Sequence, residues 1–189
     1  MKSKMKIQLP VILLLGFFVF AASQFQTDAG AGDFKYVGVD KCAGACHKGE
    51  SKGNQLEIWK DSKHAQAYNT LLSAVSDSIA KAWGSGTSAA ETPQCLKCHV
   101  LGKDIVESEL TETFDKTQGV QCETCHGAGS EYKKLSIMKD KNAAIENGLI
   151  IPPDNEAFCK GCHNSESPFY KEFNYEENWA KIKHPAPEK

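Results

Sequence analysis

The feature that most constrains this chain is a cysteine pair followed directly by histidine, which occurs four times. The copies are Cys42-Ala-Gly-Ala-Cys46-His47, Cys95-Leu-Lys-Cys98-His99, Cys122-Glu-Thr-Cys125-His126 and Cys159-Lys-Gly-Cys162-His163. This pattern is the attachment signal of c-type haem. Two thiols a short loop apart form thioethers with one porphyrin, and the histidine that follows becomes an axial ligand of the iron. All eight cysteines are used, so the sequence predicts four covalent haems.

Two other uses of paired cysteines compete with haem attachment. They are zinc sites with four cysteine ligands, and disulfides in a secreted chain. Neither explains why four of the six histidines directly follow a cysteine pair. The first motif is the least regular, because three residues rather than two separate its cysteines. A wider loop still reaches both vinyl groups of a porphyrin.

The N-terminal segment has the layout of a secretory signal. Lys2, Lys4 and Lys6 precede an apolar run at 9–22, and small residues offer a cleavage point before Gln24. We therefore expect a signal peptide at 1–23 and one tetrahaem cytochrome domain at 24–189. A retained membrane anchor is the alternative, although the run is shorter than the roughly 20 residues that span a bilayer. Membrane association would be possible only through this segment.

Export agrees with the haem prediction, because bacteria attach c-type haem outside the cytoplasm. The predicted location is the periplasm, with an extracellular location as the alternative. All 22 cationic residues are lysine, and removing the signal leaves 19 of them against 24 acidic residues. The absence of arginine and the scattered lysines argue against nucleic-acid binding. An acidic surface favours redox partner proteins with basic docking faces.

The size of the domain predicts a mainly α-helical fold with much irregular structure. About 165 mature residues form one domain, which leaves roughly forty residues for each porphyrin. Haem must therefore supply much of the apolar core, with loops and short helices wrapped around it. The motif starts are separated by 53, 27 and 37 residues, so the chain is not a tandem repeat of fixed period.

The first predicted helix runs from about Gln55 to Leu72. Asn54 is placed to cap it, with Glu57 in the capping-box position. His64 lies on the apolar face of this helix by helical spacing. It is either a core histidine satisfied by a hydrogen bond or, as we predict, a further axial haem ligand.

Two later helices carry the other candidate ligands. One is predicted from Ser130 to about Asn147 and ends before Gly148. It carries Met138, which either packs in the core or binds iron. The other runs from Phe173 to Lys183 and is followed by His184, which is either solvated or an axial ligand.

Several stretches outside the bare motifs resemble the tetrahaem cytochrome c-554 family. They are Val39-Asp-Lys-Cys, Ile58-Trp-Lys-Asp-Ser-Lys-His-Ala-Gln-Ala, Cys95-Leu-Lys-Cys-His-Val-Leu-Gly and Gly119-Val-Gln-Cys-Glu-Thr-Cys-His-Gly-Ala-Gly. The resemblance covers most of the chain from about residue 37 to 163, and the tail more loosely. That family includes the electron acceptor of hydroxylamine oxidation in nitrifying bacteria.

The resemblance implies a mostly helical, loop-rich fold with haems in close, partly stacked pairs. It also implies mixed ligation, in which most haems are bis-histidine and one is five-coordinate. His64 matches a distal ligand of the family, and His184 matches a late one. The five-coordinate haem would be the second, held by the motif that ends at His99. The chain departs from the family in its wide first motif and in lacking a distal histidine soon after the third motif, which raises Met138 as a substitute.

Electron transfer is the function that this pattern favours, and it requires no catalytic residue. The second hypothesis is an enzyme that reduces or oxidises a small nitrogen compound at a five-coordinate haem. No acid–base cluster beyond the haem ligands supports that activity in the sequence. The third hypothesis is a subunit of an extracellular cytochrome filament, in which one chain donates a histidine to the iron of the next.

Overall fold

The computed structural model describes residues 33–44, 47–153 and 155–186. The predicted signal peptide lies outside these residues, as does Cys46 of the first motif. The α-helices within the described ranges are α1 (Val39–Cys42), α2 (Gln55–Lys60), α3 (Ala74–Ala82), α4 (Pro93–Leu96), α5 (Cys122–His126), α6 (Leu135–Met138), α7 (Lys141–Glu146), α8 (Glu156–Cys159) and α9 (Tyr175–Ile182). Short 3-10 turns and a π-helical turn at Lys97–Leu101 join several of them.

This architecture confirms the predicted class, mainly helical with much irregular structure. No β-strand occurs in the described part of the chain, and the only β-type pairing there is an isolated parallel bridge between Tyr36 and Leu110. Within the described ranges no helix is long and apolar enough to cross a membrane.

The predicted helix from Gln55 to Leu72 is wrong in its extent. Helix α2 begins at Gln55 but ends at Lys60, and a 3-10 turn at Tyr68–Leu72 follows a series of turns. His64 lies in those turns, and its carbonyl accepts hydrogen bonds from Ala67 and from Val120 at 2.9 Å. This contact with a distant segment replaces the helical bond. Asn54 precedes α2 but makes no side-chain cap, because its backbone is left-handed with φ of 51°.

The helix predicted from Ser130 to Asn147 is two short helices instead of one. Helix α6 ends at Met138, and α7 begins anew at Lys141. The Asp140 carboxylate between them accepts hydrogen bonds from the backbone of Asn142 and Ala143 and so starts α7. A side chain that binds free N–H groups in this way competes with continuation of the preceding helix.

Helix α9 confirms the third predicted helix within a few residues. It is capped by Asn174, whose side chain accepts from Glu177 N, and it ends just before His184. The neighbouring Phe173 ring stacks on His163 at a centroid distance of 4.8 Å. The tail is therefore attached to the fourth motif through aromatic contact.

A small apolar core packs behind the second motif. Eight buried residues contribute to it, namely Leu71, Ala80, Ala89, Cys95, Leu96, Val100, Leu101 and Phe114. The 3-10 turn at Tyr68–Leu72, helix α3 and the second motif meet at this cluster. Elsewhere the motifs surround a cavity rather than a protein core.

Candidate haem-binding cavity

The described cysteines and the histidines of the motifs line one cavity of about 1800 Å³. Its lining includes all seven described cysteines, which are Cys42, Cys95, Cys98, Cys122, Cys125, Cys159 and Cys162. It also includes all six histidines and Met138. A pocket for one drug-sized ligand measures about 300–1,000 Å³, so this cavity has room for more than one such group.

The lining of the cavity is suited to large apolar groups. Eleven large hydrophobic side chains are exposed in the described part of the chain, and seven of them line the cavity: Val75, Trp83, Leu135, Ile151, Phe158, Phe169 and Tyr170. A contiguous exposed apolar surface of this kind indicates a site that something else covers. Porphyrin faces have the right character, and the paired thiols have the right chemistry to hold them.

The seven described cysteines are free thiols and form no disulfide among themselves. No group of three or more histidine, cysteine or acidic side chains within the described ranges is arranged to hold a metal ion directly. The thiols instead stand beside thiols of other motifs. Burial raises the pKa of Cys125 to about 11 and that of Cys162 to about 12, so both remain protonated near neutral pH.

Contacts between thiols give the order of the attachment loops. The Cys42 and Cys122 thiols lie close enough for each to shift the pKa of the other, which is raised at Cys42 and lowered at Cys122. Cys98 is close enough to Cys162 to add to the rise that burial causes in the pKa of Cys162. Cys125 is close enough to Cys159 for that thiol to help raise the pKa of Cys125. The loops therefore follow one another in the order first, third, fourth and second.

Two pairs of imidazoles face each other in the cavity. The centroids of His64 and His163 are 6.1 Å apart, and those of His126 and His184 are 5.9 Å apart. An imidazole nitrogen binds a metal ion at about 2.0–2.1 Å, so two rings on opposite sides of one ion have centroids about 6 Å apart. Both separations match that arrangement. Burial lowers the pKa of His64, as does neighbouring His163, which favours the neutral form that binds metals.

Backbone carbonyls orient two of the motif histidines. His99 Nδ1 lies 2.8 Å from the Ala67 carbonyl and 3.1 Å from the Thr70 hydroxyl. His126 Nδ1 lies 3.0 Å from the Ile150 carbonyl. A carbonyl only accepts hydrogen bonds, so Nδ1 carries the proton in both rings. Nε2 is then the nitrogen left for iron, and the carbonyl contact fixes the direction of the ring.

His47 and His99 lack such a facing ring. No histidine pairs with either in the described part of the chain as His163 does with His64. His184 is close enough to His47 to lower its pKa, after the larger effect of burial, but its ring contact is with His126. Met138 lines the same cavity. Ligation by His64, His184 and Met138 stays a prediction.

A buried carboxylate connects the first motif to the third. Glu123, between the cysteines of the third motif, is only 1% exposed. Its oxygens accept hydrogen bonds from the backbone N–H groups of Val37 at 2.9 and 3.0 Å, Gly38 at 2.7 Å and Gly129 at 2.7 Å. Burial raises the pKa of Glu123, while these donors and Lys133 oppose the rise. The carboxylate thus holds the strand-like entry to the first motif against the third.

Gln121 strengthens the same connection. Its side-chain oxygen accepts from Val39 N at 2.7 Å, and its side-chain nitrogen donates to the Asp115 carbonyl at 2.8 Å. The contact between the first and third loops therefore rests on two buried polar side chains. Sequence reasoning missed both, because a polar residue within a motif loop carries no periodic signal.

Comparison with known proteins agrees with a haem-binding site. Residues 41–127, which contain the first three motifs, match the family described as "Cytochrome c554 and c-prime". Cytochrome c-554 of Nitrosomonas europaea is 30% identical over 160 residues, which cover 76% of this chain and 65% of that protein. The chain is similar in sequence to the cytochrome c554 family. This similarity agrees with covalently bound c-type haem at the motifs.

A second relative is less similar to this chain. The C-type polyheme cytochrome OmcC of Geobacter sulfurreducens is 27% identical over 85 residues, which cover 42% of this chain and 10% of that protein. The chain thus spans about two thirds of the length of one relative and a tenth of the other. No solved structure matches it.

Proposed function

We propose that this chain is an exported electron-transfer protein that carries four covalent c-type haems, one at each motif. The observation that carries the proposal is the single cavity lined by all the described motif cysteines and all six histidines. When bound, haem supplies an iron that exchanges one electron at a time. Export to the periplasm follows from the signal layout of residues 1–23 and from the place where haem is attached.

The residues of the chain would hold these groups in a fixed order. The motif thiols fix each ring, and His47, His99, His126 and His163 each take one axial position. His64 completes the fourth site and His184 the third, as the two facing ring pairs suggest. Contacts between loops put neighbouring sites side by side, as an electron-transfer chain requires. Redox partners with basic docking faces suit the acidic balance of the mature part.

Intact mass and electron transfer to another cytochrome test the proposal together. The purified protein should have the mass of a polypeptide that begins near Gln24 plus four haems after denaturation. Its reduced form should pass electrons quickly to a second cytochrome without any added substrate. Three haems would mean that the wide first loop is not used, and a mass without haem would end the proposal.

An enzyme at an open iron is the second candidate, and the lack of facing rings at His47 and His99 favours it. If Met138 completes the first site, only the second, at His99, stays open. Small nitrogen compounds are the substrate class to test there. Rapid turnover of hydroxylamine, nitrite or nitric oxide by the isolated protein would favour the enzyme over the pure electron carrier.

A filament subunit would supply the missing ligand from a neighbouring chain. Such a subunit assembles, whereas the electron carrier that we propose needs no second copy. Sedimentation of the holoprotein in dilute solution, with a spectrum of the same sample, separates the two, because a monomer in which the first and second haems are low-spin would rule out a donated histidine at those sites.

A further inference from the structure

Gln55 is a buried polar side chain at the edge of the haem cavity. It begins helix α2, is 7% exposed, and contributes to the cavity lining. Its amide oxygen, Oε1, is fully buried and accepts no hydrogen bond of normal geometry. A buried acceptor without a partner is costly, about 1–3 kcal/mol. Such an atom beside a cofactor site indicates a contact that the bound cofactor completes.

The amide nitrogen of Gln55 is, by contrast, fully used. It donates to the carbonyl of Lys52 and to the carbonyl of Pro185, both at 2.8 Å. Pro185 follows His184, whose Nδ1 lies 3.3 Å from the same Pro185 carbonyl. Gln55 therefore attaches the tail that presents His184 to the third motif.

His47 is the motif histidine next to Gln55. Burial and neighbouring His184 lower the pKa of His47, and the nearby Gln55 side chain opposes this effect. A backbone bond from Leu56 N to the His47 carbonyl at 3.1 Å keeps the two residues together.

The two motif histidines described above, His99 and His126, have a backbone carbonyl at Nδ1. Among the described residues no backbone carbonyl is bonded to the His47 ring, whose polar neighbour is the buried Gln55 side chain. Gly53 makes room for it, since an added Cβ there would lie 2.6 Å from Gln55 Nε2 and 2.9 Å from Pro185 Cγ. The local backbone, with φ of +90° at Gly53, is thus built around this amide.

We infer that Gln55 is a positioning residue for two haem sites at once. Its oxygen accepts the His47 Nδ1–H bond and directs Nε2 to the first iron, while its nitrogen holds the His184 tail at the third site. The inference rests on the proposed haem attachment at the first and third motifs. An acceptor at Nδ1 makes an imidazole a stronger donor to its metal, so it stabilises the oxidised iron and lowers the potential.

Two substitutions separate the role of the Gln55 side-chain oxygen from that of its nitrogen. Gln55→Glu keeps an acceptor for His47 and removes the donor to Pro185, whereas Gln55→Leu removes both. Relative to the wild type, the potential of the first haem should fall in Gln55→Glu and rise in Gln55→Leu. At the third haem both variants should have the same effect. In each, a larger fraction of the protein than in the wild type should lose His184 and bind carbon monoxide at that haem. A merely structural residue would shift the first haem in one direction in both variants.

Controls identify the haem and account for charge. A Cys42→Ser/Cys46→Ser variant lacks the first haem, and the potential missing from its titration belongs to that site. Asn54→Asp adds the same charge one residue away, and it should lower the potential of the first haem less than Gln55→Glu does.

If the double serine variant does not mature, electron paramagnetic resonance of the oxidised Gln55 variants gives the first-haem signature directly. Intact mass shows whether four haems are present, which tests the proposed function separately. With four haems present, first-haem signals unchanged in both Gln55 variants would overturn the inference.

Discussion

The imidazole rings of His64 and His163 lie 6.1 Å apart at their centroids and are tilted by 44°. His163 comes from the fourth motif, whereas His64 comes from the turns after α2. The ring of Phe173 stacks on His163 at 4.8 Å and limits its movement. We therefore predict that one haem iron would be held by both His163 and His64.

His64→Ala should convert the fourth haem from low-spin to a state that binds carbon monoxide. The methyl group leaves an axial position empty, and the reduced iron then takes up a neutral ligand. The measurement is a carbon monoxide titration of the reduced monomer, with one more haem bound than in the wild type. Gln66→Ala, at an exposed position two residues away, is the control and should bind the wild-type number. Equal binding by His64→Ala and wild type would show that His64 is not a ligand.

Gly119→Ala should weaken the same site without touching the histidine side chain. Gly119 has φ of +72°, and an added Cβ would lie 2.5 Å from the His64 carbonyl oxygen. That carbonyl accepts the Val120 bond that fixes the turn. With ψ of −146°, Gly119 is in a conformation that side chains rarely adopt. We expect a loss of stability above the roughly 1–3 kcal/mol of such a strained backbone, with a larger high-spin fraction.

Gly84→Ala is the matched control for this substitution. Gly84 has a similar φ of +85°, but nothing lies within 4 Å of its added Cβ. It should therefore show the backbone cost alone and keep the wild-type spin state. Identical unfolding curves and spectra for the two alanine variants would mean that the Gly119 contact with His64 does not matter.

The attachment sites can be predicted from the sequence because each motif is local. Two thiols and a histidine a few residues apart carry their chemistry wherever the loop lies. Helix α9 was also predictable, since Asn174 and the residues that follow form a capped amphipathic segment. The loss of helix around His64 was not, because the His64 carbonyl is bound by Val120, far along the chain.

The polar connections inside the site were beyond a sequence reading for a related reason. Glu123 and Gln121 bind backbone N–H groups, which every residue except proline possesses. No residue type at positions 37–39 therefore signals that a carboxylate will meet them. The pairing of His126 with His184 likewise depends on where the tail returns. The sequence supplies the candidates for such pairs, and only the fold selects among them.

Met138→Leu tests whether the thioether completes the first haem site. Met138 lines the cavity in which His47 has no facing ring. Because a thioether ligand raises the potential of a haem relative to bis-histidine ligation, its loss should remove the highest of the potentials and let one more haem bind carbon monoxide. Leu135→Met, at another cavity-lining position of α6, is the control. It should change neither the potentials nor the number of haems that bind carbon monoxide. Unchanged potentials in Met138→Leu would assign Met138 to packing alone.

Glu123→Ala should be among the most destabilising single substitutions in this protein, because it leaves three buried backbone N–H groups without an acceptor. Each such group costs about 1–3 kcal/mol, so the free energy of unfolding should fall by several kcal/mol. Glu123→Gln keeps one oxygen and turns an amide nitrogen toward the other donors, so its loss of stability should be smaller.

Guanidinium denaturation at neutral pH, followed by far-ultraviolet circular dichroism, measures the stability of both variants. The samples should be protein that carries four haems by mass. Glu131→Gln is the control, since the half-exposed Glu131 carboxylate forms a surface ion pair with Lys134 three residues along the chain, and such pairs contribute about 0–1 kcal/mol. If Glu123→Ala lost no more stability than Glu131→Gln, the connection between the first and third motifs would have to rest on Gln121 and the haems instead.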